Sequence, residues 1–297
     1  MRYPFVTLDV FTATRFAGNS LGVVFDADGI ESAKMQAVAR EFGHPETVFV
    51  LKPENAGSTA RARIFTPAVE MPFAGHPTVG TALALALKRN AGANIVLEEK
   101  IGPLQCRVNV AGEAHGRASF QLPTLPRPAG PAADTAAIAA ALGLDANDLG
   151  FDGHAPSKWS IGPTFTFVPV RGLDAVRRCR VDDAQWDRAF EANGQSFAFV
   201  FSTETEKKAH HFHARMFAPR AGVREDPATG SAAAAFSSFC AEQLSLPDGK
   251  HDFVIEQGFE MGRPSLIELG IVIQNGVLAS GTVGGPAVIV TEGMIEV

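Results

Sequence analysis

The sequence predicts an α+β fold made of two related halves, on three observations. A strand-to-helix pattern occurs twice. Arg63-Ile64-Phe65-Thr66-Pro67 leads to Gly75-His76-Pro77-Thr78-Val79-Gly80-Thr81-Ala82, and Arg215-Met216-Phe217-Ala218-Pro219 leads to Glu225-Asp226-Pro227-Ala228-Thr229-Gly230-Ser231-Ala232. The copies are offset by 152 residues at the Phe (217−65) and by 150 when Gly80 is set on Gly230 (230−80). Strand-like runs also lack the regular β–α alternation of a parallel doubly wound sheet, so antiparallel sheets wrapped on one or two helices per half are expected. Finally, 297 residues suffice for two domains of ordinary size.

Composition narrows the function classes. A hydrophobic fraction of 46% with 20% charged residues fits a globular protein with a sizeable core. A net charge of −6 with no basic run argues against nucleic acid or an anionic membrane as partner. Cys106, Cys179 and Cys240 show no metal-ligand spacing and cannot all pair with one another, so a reduced, cytoplasmic protein is expected. Met1-Arg2-Tyr3-Pro4 enters a strand without a signal-peptide block, and the apolar helical run 82–87 is too short to span a bilayer.

Taken in order, residues 6–11 alternate as a half-buried strand should, and 21–25 form a second strand after the Ala17-Gly18-Asn19 turn. Ser32 can cap a helix whose Met35, Val38, Ala39 and Phe42 make one apolar face, and Gly43 stops it. Pro45 holds His44 extended, so Glu46 opens the next strand, 47–51. A carboxylate at the lip of an apolar strand is either a solvated edge residue or a catalytic acid/base. Residues 60–65 form a strand, Pro77 suits the first turn of a helix over about 79–88, and a hairpin surrounds Gly102-Pro103. A strand at 118–122 precedes the proline- and alanine-rich stretch 123–133, the best linker candidate. The domains are accordingly set at 1–125 and 126–297, with the last strand free to cross to the first. The second half is expected to hold helices at 136–142, 181–192 and 231–244, with strands at 165–170, 197–201 and 211–217 and a closing hairpin like that of the first.

The two echoed turns carry the chemistry. Each places unpartnered first-turn N–H groups at a helix start, which favours an anion. With Gly80 on Gly230, His76 and Asp226 fall at equivalent positions, and a pseudo-two-fold would bring both helix ends to one small carboxylic acid. The bland alternative is a duplicated fold whose repeat is structural only. His211 and His213 would share one strand face, a spacing seen in some metal sites, but no third ligand is evident. Gly284-Gly285 reads as a turn, and neither a phosphate-cradling glycine loop nor a Gly-x-Ser-x-Gly elbow is present.

Glu46-Thr47-Val48-Phe49-Val50, Phe65-Thr66-Pro67 with Pro72-Phe73-Ala74-Gly75-His76-Pro77, Phe217-Ala218-Pro219 with the 225–232 motif, and Gln257-Gly258 with Gly262-Arg263-Pro264-Ser265 together resemble the PhzF-like phenazine-biosynthesis family over essentially the whole chain. The resemblance implies two domains of diaminopimelate epimerase-like fold, each a barrel-like sheet around a central helix, with the active site in the cleft between them. It implies a homodimer, catalysis without a cofactor, and an isomerase related to trans-2,3-dihydro-3-hydroxyanthranilate isomerase; a metal is not expected, since the histidines lack a third ligand. By the same resemblance Glu46 would be the proton shuttle, His76 and Asp226 would position the substrate, and Gly75, Gly230 and Ser231 would hold its carboxylate. His44 ahead of Glu46, and Ser20 in place of a frequent proline after Gly18-Asn19, depart from the family pattern and put the substrate in question. The racemases of this fold use two opposed cysteines, and here neither turn carries one. A non-catalytic metabolite-binding or protein-interaction module of the same fold is the alternative of a different class.

Overall fold

The computed structural model describes residues 1–190 and 196–297. The chain divides into two compact units, Met1–Pro123 with Val283–Val297, and Thr124–Thr282.

In the first unit β1 (Arg2–Val10) pairs antiparallel with β2 (Asn19–Val24). Helix α1 (Ser32–Phe42) follows, then β3 (Glu46–Leu51), which runs parallel to β2. β4 (Ala60–Phe65) is antiparallel to β3 and carries the two-residue strand β5 (Glu70–Met71). Helix α2 (Gly75–Arg89) leads to β6 (Asn94–Glu99), parallel to β4, and then to the antiparallel strands β7 (Gly102–Val110) and β8 (His115–Gln121). The last strand of the chain, β17 (Val277–Glu296), pairs with both β8 and β1 and closes an eight-strand barrel.

α2 packs against β1, β2, β3, β6, β7 and β8, and its residues 75–86 are all buried. A helix covered on every side must be apolar on every side, which Thr-Ala-Leu-Ala-Leu-Ala over 81–86 supplies. Gly80 sets the closeness of that packing. A Cβ there would lie 2.5 Å from Leu21 Cδ2 and 2.8 Å from Val10 Cγ2. α1 covers the outside of the barrel, with Met35, Val38 and Ala39 joining Phe49, Leu51 and Phe65. Its N-cap is Glu31 rather than Ser32, which is already the first helical residue.

The second unit repeats the plan. The expected linker contains β9 (Arg127–Pro128), and helix α3 (Thr135–Ala141) follows. β10 (Ser157–Ser160) pairs with β9 and with β11 (Thr164–Pro169). Helices α4 (Gly172–Arg178) and α5 (Trp186–Phe190) come next, and β12 (Ser196–Ser202) runs parallel to β11. β13 (Phe212–Ala218) is antiparallel to β12 and carries β14 (Val223–Asp226). Helix α6 (Gly230–Gln243) precedes β15 (Gly249–Gln257), parallel to β13, and β16 (Ser265–Gln274), antiparallel to β15. The order antiparallel, parallel, antiparallel, parallel, antiparallel is therefore the same from β1 to β7 and from β10 to β16. The pairings are mostly antiparallel, with two parallel joins in each unit where a helix-containing crossover intervenes.

α6 is walled by phenylalanine, with Phe236 and Phe239 stacked at 5.0 Å and Phe167, Phe199, Phe201 and Phe212 around them. Off-centre ring contacts of this kind add to the area they bury. Outside, Ile138, Leu142, Val176, Trp186 and Phe190 join α3, α4 and α5 in a second apolar cluster.

Two sequence expectations are corrected here. The helix expected at 181–192 begins only at Trp186, because the Asp182 carboxylate takes the Ala184 and Gln185 N–H groups in a turn; residues 191 and 192 lie outside the described residues. Gly284-Gly285 is not a turn, since β17 runs straight through it. The glycine is there for proximity: a Cβ on Gly284 would come within 2.5 Å of Ser119 Cβ and 2.6 Å of the Ala118 carbonyl oxygen. Among the described residues no helix is long and apolar enough to cross a membrane.

Candidate active site

Glu46 and His76 are brought together in the first unit. Glu46 opens β3 beside Leu21 of β2, as the strand boundary at Pro45 requires. α2 begins at Gly75, four residues before its expected start, so His76 sits in its first turn and Pro77 follows where a missing N–H costs nothing. His76 Nε2 lies 3.2 Å from Glu46 Oε2, with the two side chains 6% and 17% exposed.

The protonation state of His76 follows from its surroundings. Burial pushes the imidazole down to about 3, against the opposing bond to the Ser20 backbone carbonyl and with help from His44 nearby. The ring is therefore neutral. Its Nε2 is buried without a hydrogen bond, so the N–H given to Ser20 is on Nδ1. Nε2 is then unprotonated, and it lies beside Glu46 without forming a hydrogen bond to it. His44 Nδ1 is 3.3 Å from Ser20 Oγ, so the two positions that depart from the family pattern touch each other and reach His76 through Ser20.

Asp226, Gly230 and Ser231 come together in the second unit. Asp226 ends β14, and its Oδ2 accepts from Thr229 Oγ1 at 2.6 Å. Gly230 and Ser231 are the first two residues of α6. Neither Ala74 before α2 nor Thr229 before α6 gives its side chain to the helix as a cap, so the first-turn N–H groups are left to another acceptor.

The helix starts also correct the register of the repeat. Gly75 and Gly230 are the equivalent glycines, 155 residues apart (230−75), so His76 corresponds to Ser231. Asp226 corresponds to Met71, since Ile64 pairs with Met71 as Met216 pairs with Asp226. Aligning Gly80 with Gly230 set the second copy five residues out (80−75), because Gly80 lies inside α2 and not at its start; the loops directly before the helices, 72–74 and 227–229, are equal in length.

Several residues hold the two turns and were not singled out by the sequence. Arg63 makes a two-pronged ion pair with Glu70 (2.8 and 2.9 Å) and lies over the Phe65 ring. Arg215 does the same with Glu225 (2.8 and 2.8 Å) over Phe217. Glu98 on β6 takes the N–H groups of Glu54 and Asn55, and Glu256 on β15 takes those of Glu206 and Lys207. Each carboxylate thus ties the loop that precedes β4 or β13. The next residues, Glu99 and Gln257, turn inward to the helix starts. Laying Glu98-Glu99 against Glu256-Gln257 would have found them.

His211 and His213 do not converge on one face. His211 is exposed and accepts the Val254 N–H, while His213 is fully buried, so the two do not share surroundings. His213 bonds Glu256 through Nδ1 (2.8 Å) and Glu260 through Nε2 (2.9 Å). Burial opposes its charge, but the two carboxylates overcome this and raise it to about 9. Among the described residues no group of ligands could hold a metal ion. All three cysteines are free and buried, none in the first turn of α2 or α6, and burial pushes each thiol up, Cys179 to about 12.

The sequence profile of the phenazine biosynthesis-like family matches residues 8–293. An uncharacterized isomerase of Mesorhizobium japonicum is 47% identical over 98% of this chain and 98% of its own. Trans-2,3-dihydro-3-hydroxyanthranilate isomerase of Pseudomonas fluorescens is 34% identical over 89% of this chain and 88% of its own. The crystal structure of the PhzF-family phenazine biosynthesis protein of Bacillus anthracis superposes with a TM-score of 0.89 at 28% identity, covering all of both chains. With its repeated barrel plan, its Gly-His-Pro and Asp-Pro-Ala-Thr-Gly turns and these relatives, the chain belongs to the phenazine biosynthesis-like (PhzF) family of isomerases.

Proposed function

We propose that this isomerase moves a proton within a small carboxylic acid, without a cofactor, and that Glu46 carries the proton. The observation that supports this is the neutral His76 ring, whose Nε2 lies 3.2 Å from Glu46 Oε2. A neutral imidazole that cannot donate at Nε2 offers nothing to a carboxylate. It accepts from a carboxylic acid. His76 therefore favours Glu46 once it has taken a proton from substrate carbon, and the acid so formed returns that proton to a second carbon of the same molecule. Loss and gain balance within Glu46, so no outside proton donor is needed.

The substrate carboxylate is assigned to the first-turn N–H groups at Gly75 and Gly230 and to the Ser231 hydroxyl, with Asp226 orienting the substrate. The name of the Pseudomonas fluorescens relative supplies the first compound to try, trans-2,3-dihydro-3-hydroxyanthranilate, and the His44–Ser20 contact beside His76 is where another preference would arise. A homodimer, expected from the resemblance, is retained as part of the proposal and is read by sedimentation.

The test is incubation of wild type and Glu46→Gln with that compound in heavy water, followed by mass spectrometry. Glu46→Gln should lower turnover roughly 10²- to 10⁴-fold while leaving binding intact. A variant as fast as wild type would remove Glu46 from the mechanism. Binding without isomerisation or label exchange in the wild type would favour the non-catalytic alternative.

A further inference from the structure

Glu99, at the end of β6, is a carboxyl in an unusual place. It is 7% exposed, and its Oε1 lies 2.7 Å from Thr78 Oγ1 in the first part of α2. Thr78 Oγ1 also lies 2.8 Å from the carbonyl oxygen of Ala74, the N-cap residue directly before Gly75 and His76. A threonine hydroxyl has one proton to give. If it goes to Ala74, the contact with Glu99 is a hydrogen bond only when Glu99 is the donor, which requires a protonated carboxyl. The other oxygen, Oε2, is buried with no hydrogen bond. That is tolerable for a carbonyl oxygen and expensive for half of a carboxylate.

The charges around Glu99 do not offset this. On its own strand Glu98 faces the 54–55 loop and Lys100 pairs with Glu70. On β4, Arg61 and Arg63 are engaged by Glu54 and Glu70. On β7 the coupled group is the Cys106 thiol, and on α2 the nearby His76 is neutral. Burial raises the Glu99 carboxyl to about 8, against the bond from Thr78.

The second unit contains an independent version of the same device. The pairs Ala60–Leu97 and Phe212–Ile255 hold the same place in the two sheets, which sets Glu99 against Gln257. Gln257 Nε2 donates to Thr229 Oγ1 (3.0 Å) and to the Asp226 carbonyl (2.7 Å), and its Oε1 accepts the Thr229 N–H (3.1 Å). There the start of α6 is held by a neutral side chain that donates.

We propose that Glu99 is a positioning residue kept in its neutral form, donating to Thr78 so that Thr78 can donate to Ala74 and hold the start of α2, and with it His76, in place. Where it concerns turnover this rests on the function proposed above; the proton on Glu99 does not. Ionisation would turn the Thr78 proton toward Glu99 and release Ala74.

Carbon-13 NMR of the protein labelled at glutamate side-chain carboxyls tests this, with the Glu99 resonance assigned by its loss in Glu99→Gln. The Glu99 signal should titrate near pH 8, the Gly75 amide and the His76 ring should shift with the same midpoint, and in Glu99→Gln those shifts should be absent. A Glu99 signal that titrates with the ordinary carboxyls near pH 4.5 overturns the proposal, as does a Gly75 amide indifferent to it. Should Glu99→Gln fail to fold, Thr78→Val serves: it should move the Glu99 midpoint, and an unmoved midpoint overturns the proposal. In turnover of trans-2,3-dihydro-3-hydroxyanthranilate, wild-type kcat/KM should fall about tenfold per unit above pH 8, whereas Glu99→Gln should retain wild-type activity at pH 7 and lack that limb. An alkaline limb unchanged in Glu99→Gln overturns it. Absence of turnover in both proteins counts against the proposed substrate, and the resonance titration then decides on Glu99 alone.

Discussion

At the start of α2 a buried carboxyl, Glu99, reaches the helix through Thr78; at the start of α6 a buried carboxamide, Gln257, reaches it through Thr229. The frames around them match: the same Arg–Glu pair over the same Phe, and the same strand carboxylate tying the loop ahead of it. The amide donates and accepts at every pH. The carboxyl donates only while it keeps its proton. The two contacts use threonines at different positions, Thr78 inside α2 and Thr229 before α6, and only the one made by a carboxyl depends on pH. A second exchange concerns the neighbouring position: Arg61 stands in the first unit where His213 stands in the second, each beside the strand carboxylate.

Removing the Arg side chains tests the shared frame with the largest effects. Arg215 is 7% exposed, is paired with Glu225, and also gives Nη1 to the Val176 and Cys179 carbonyls. Arg215→Ala should destabilise by about 3–5 kcal/mol, because it removes a buried guanidinium that satisfies two carbonyls and leaves the half-buried Glu225 carboxylate without its partner. Arg63 and Glu70 are more exposed, at 21% and 18%, so Arg63→Ala should cost less, about 1–2 kcal/mol. Equal losses in denaturant unfolding would show that the two clamps are energetically alike.

Glu99→Gln comes next. With its carboxyl at about 8 when folded and 4.5 ordinarily, the folded state holds a proton that the unfolded chain has lost between those values. Stability therefore falls as pH rises from about 4.5 to 8. The Gln variant should lack that fall and be more stable than wild type at pH 8 by roughly 2–4 kcal/mol. An unchanged pH profile would place Glu99 among ordinary carboxyls and erase the contrast with Gln257.

The smaller expected effect concerns His213. Its folded value of about 9 lies above the ordinary 6.5, so its stabilising contribution is complete below 6.5 and is lost as pH rises through about 9. His213→Gln should remove that share of the fall between those values, leaving only the Glu99 part, which ends near pH 8. Equally steep stability curves for wild type and His213→Gln between pH 6.5 and 9 would contradict it.

The duplicated strand-to-helix pattern, the strand opening at Glu46 and the helix starts with their small residues are all local features. Alternation, Pro45 and Gly43 mark them directly, and the structure carries them at nearly the expected places. The register of the repeat was less legible. Gly80-Thr81-Ala82 looks like Gly230-Ser231-Ala232 in sequence, and only the shared helix starts identify Gly75 as the partner of Gly230. Gly284 misled for a similar reason: a glycine needed for close approach of a neighbouring strand looks, in sequence, like one needed for a turn.

What the sequence alone determined is therefore the class of fold, the repeat and the residue types at each helix start, because these rest on periodicities and on backbone preferences within a few residues. What tertiary structure decided is protonation. The neutral ring of His76, the charge on His213 between two carboxylates and the neutral state of Glu99 each depend on partners distant in sequence and on burial. Charge state is set by the free energy of a group among its neighbours, and no local pattern in the chain encodes those neighbours.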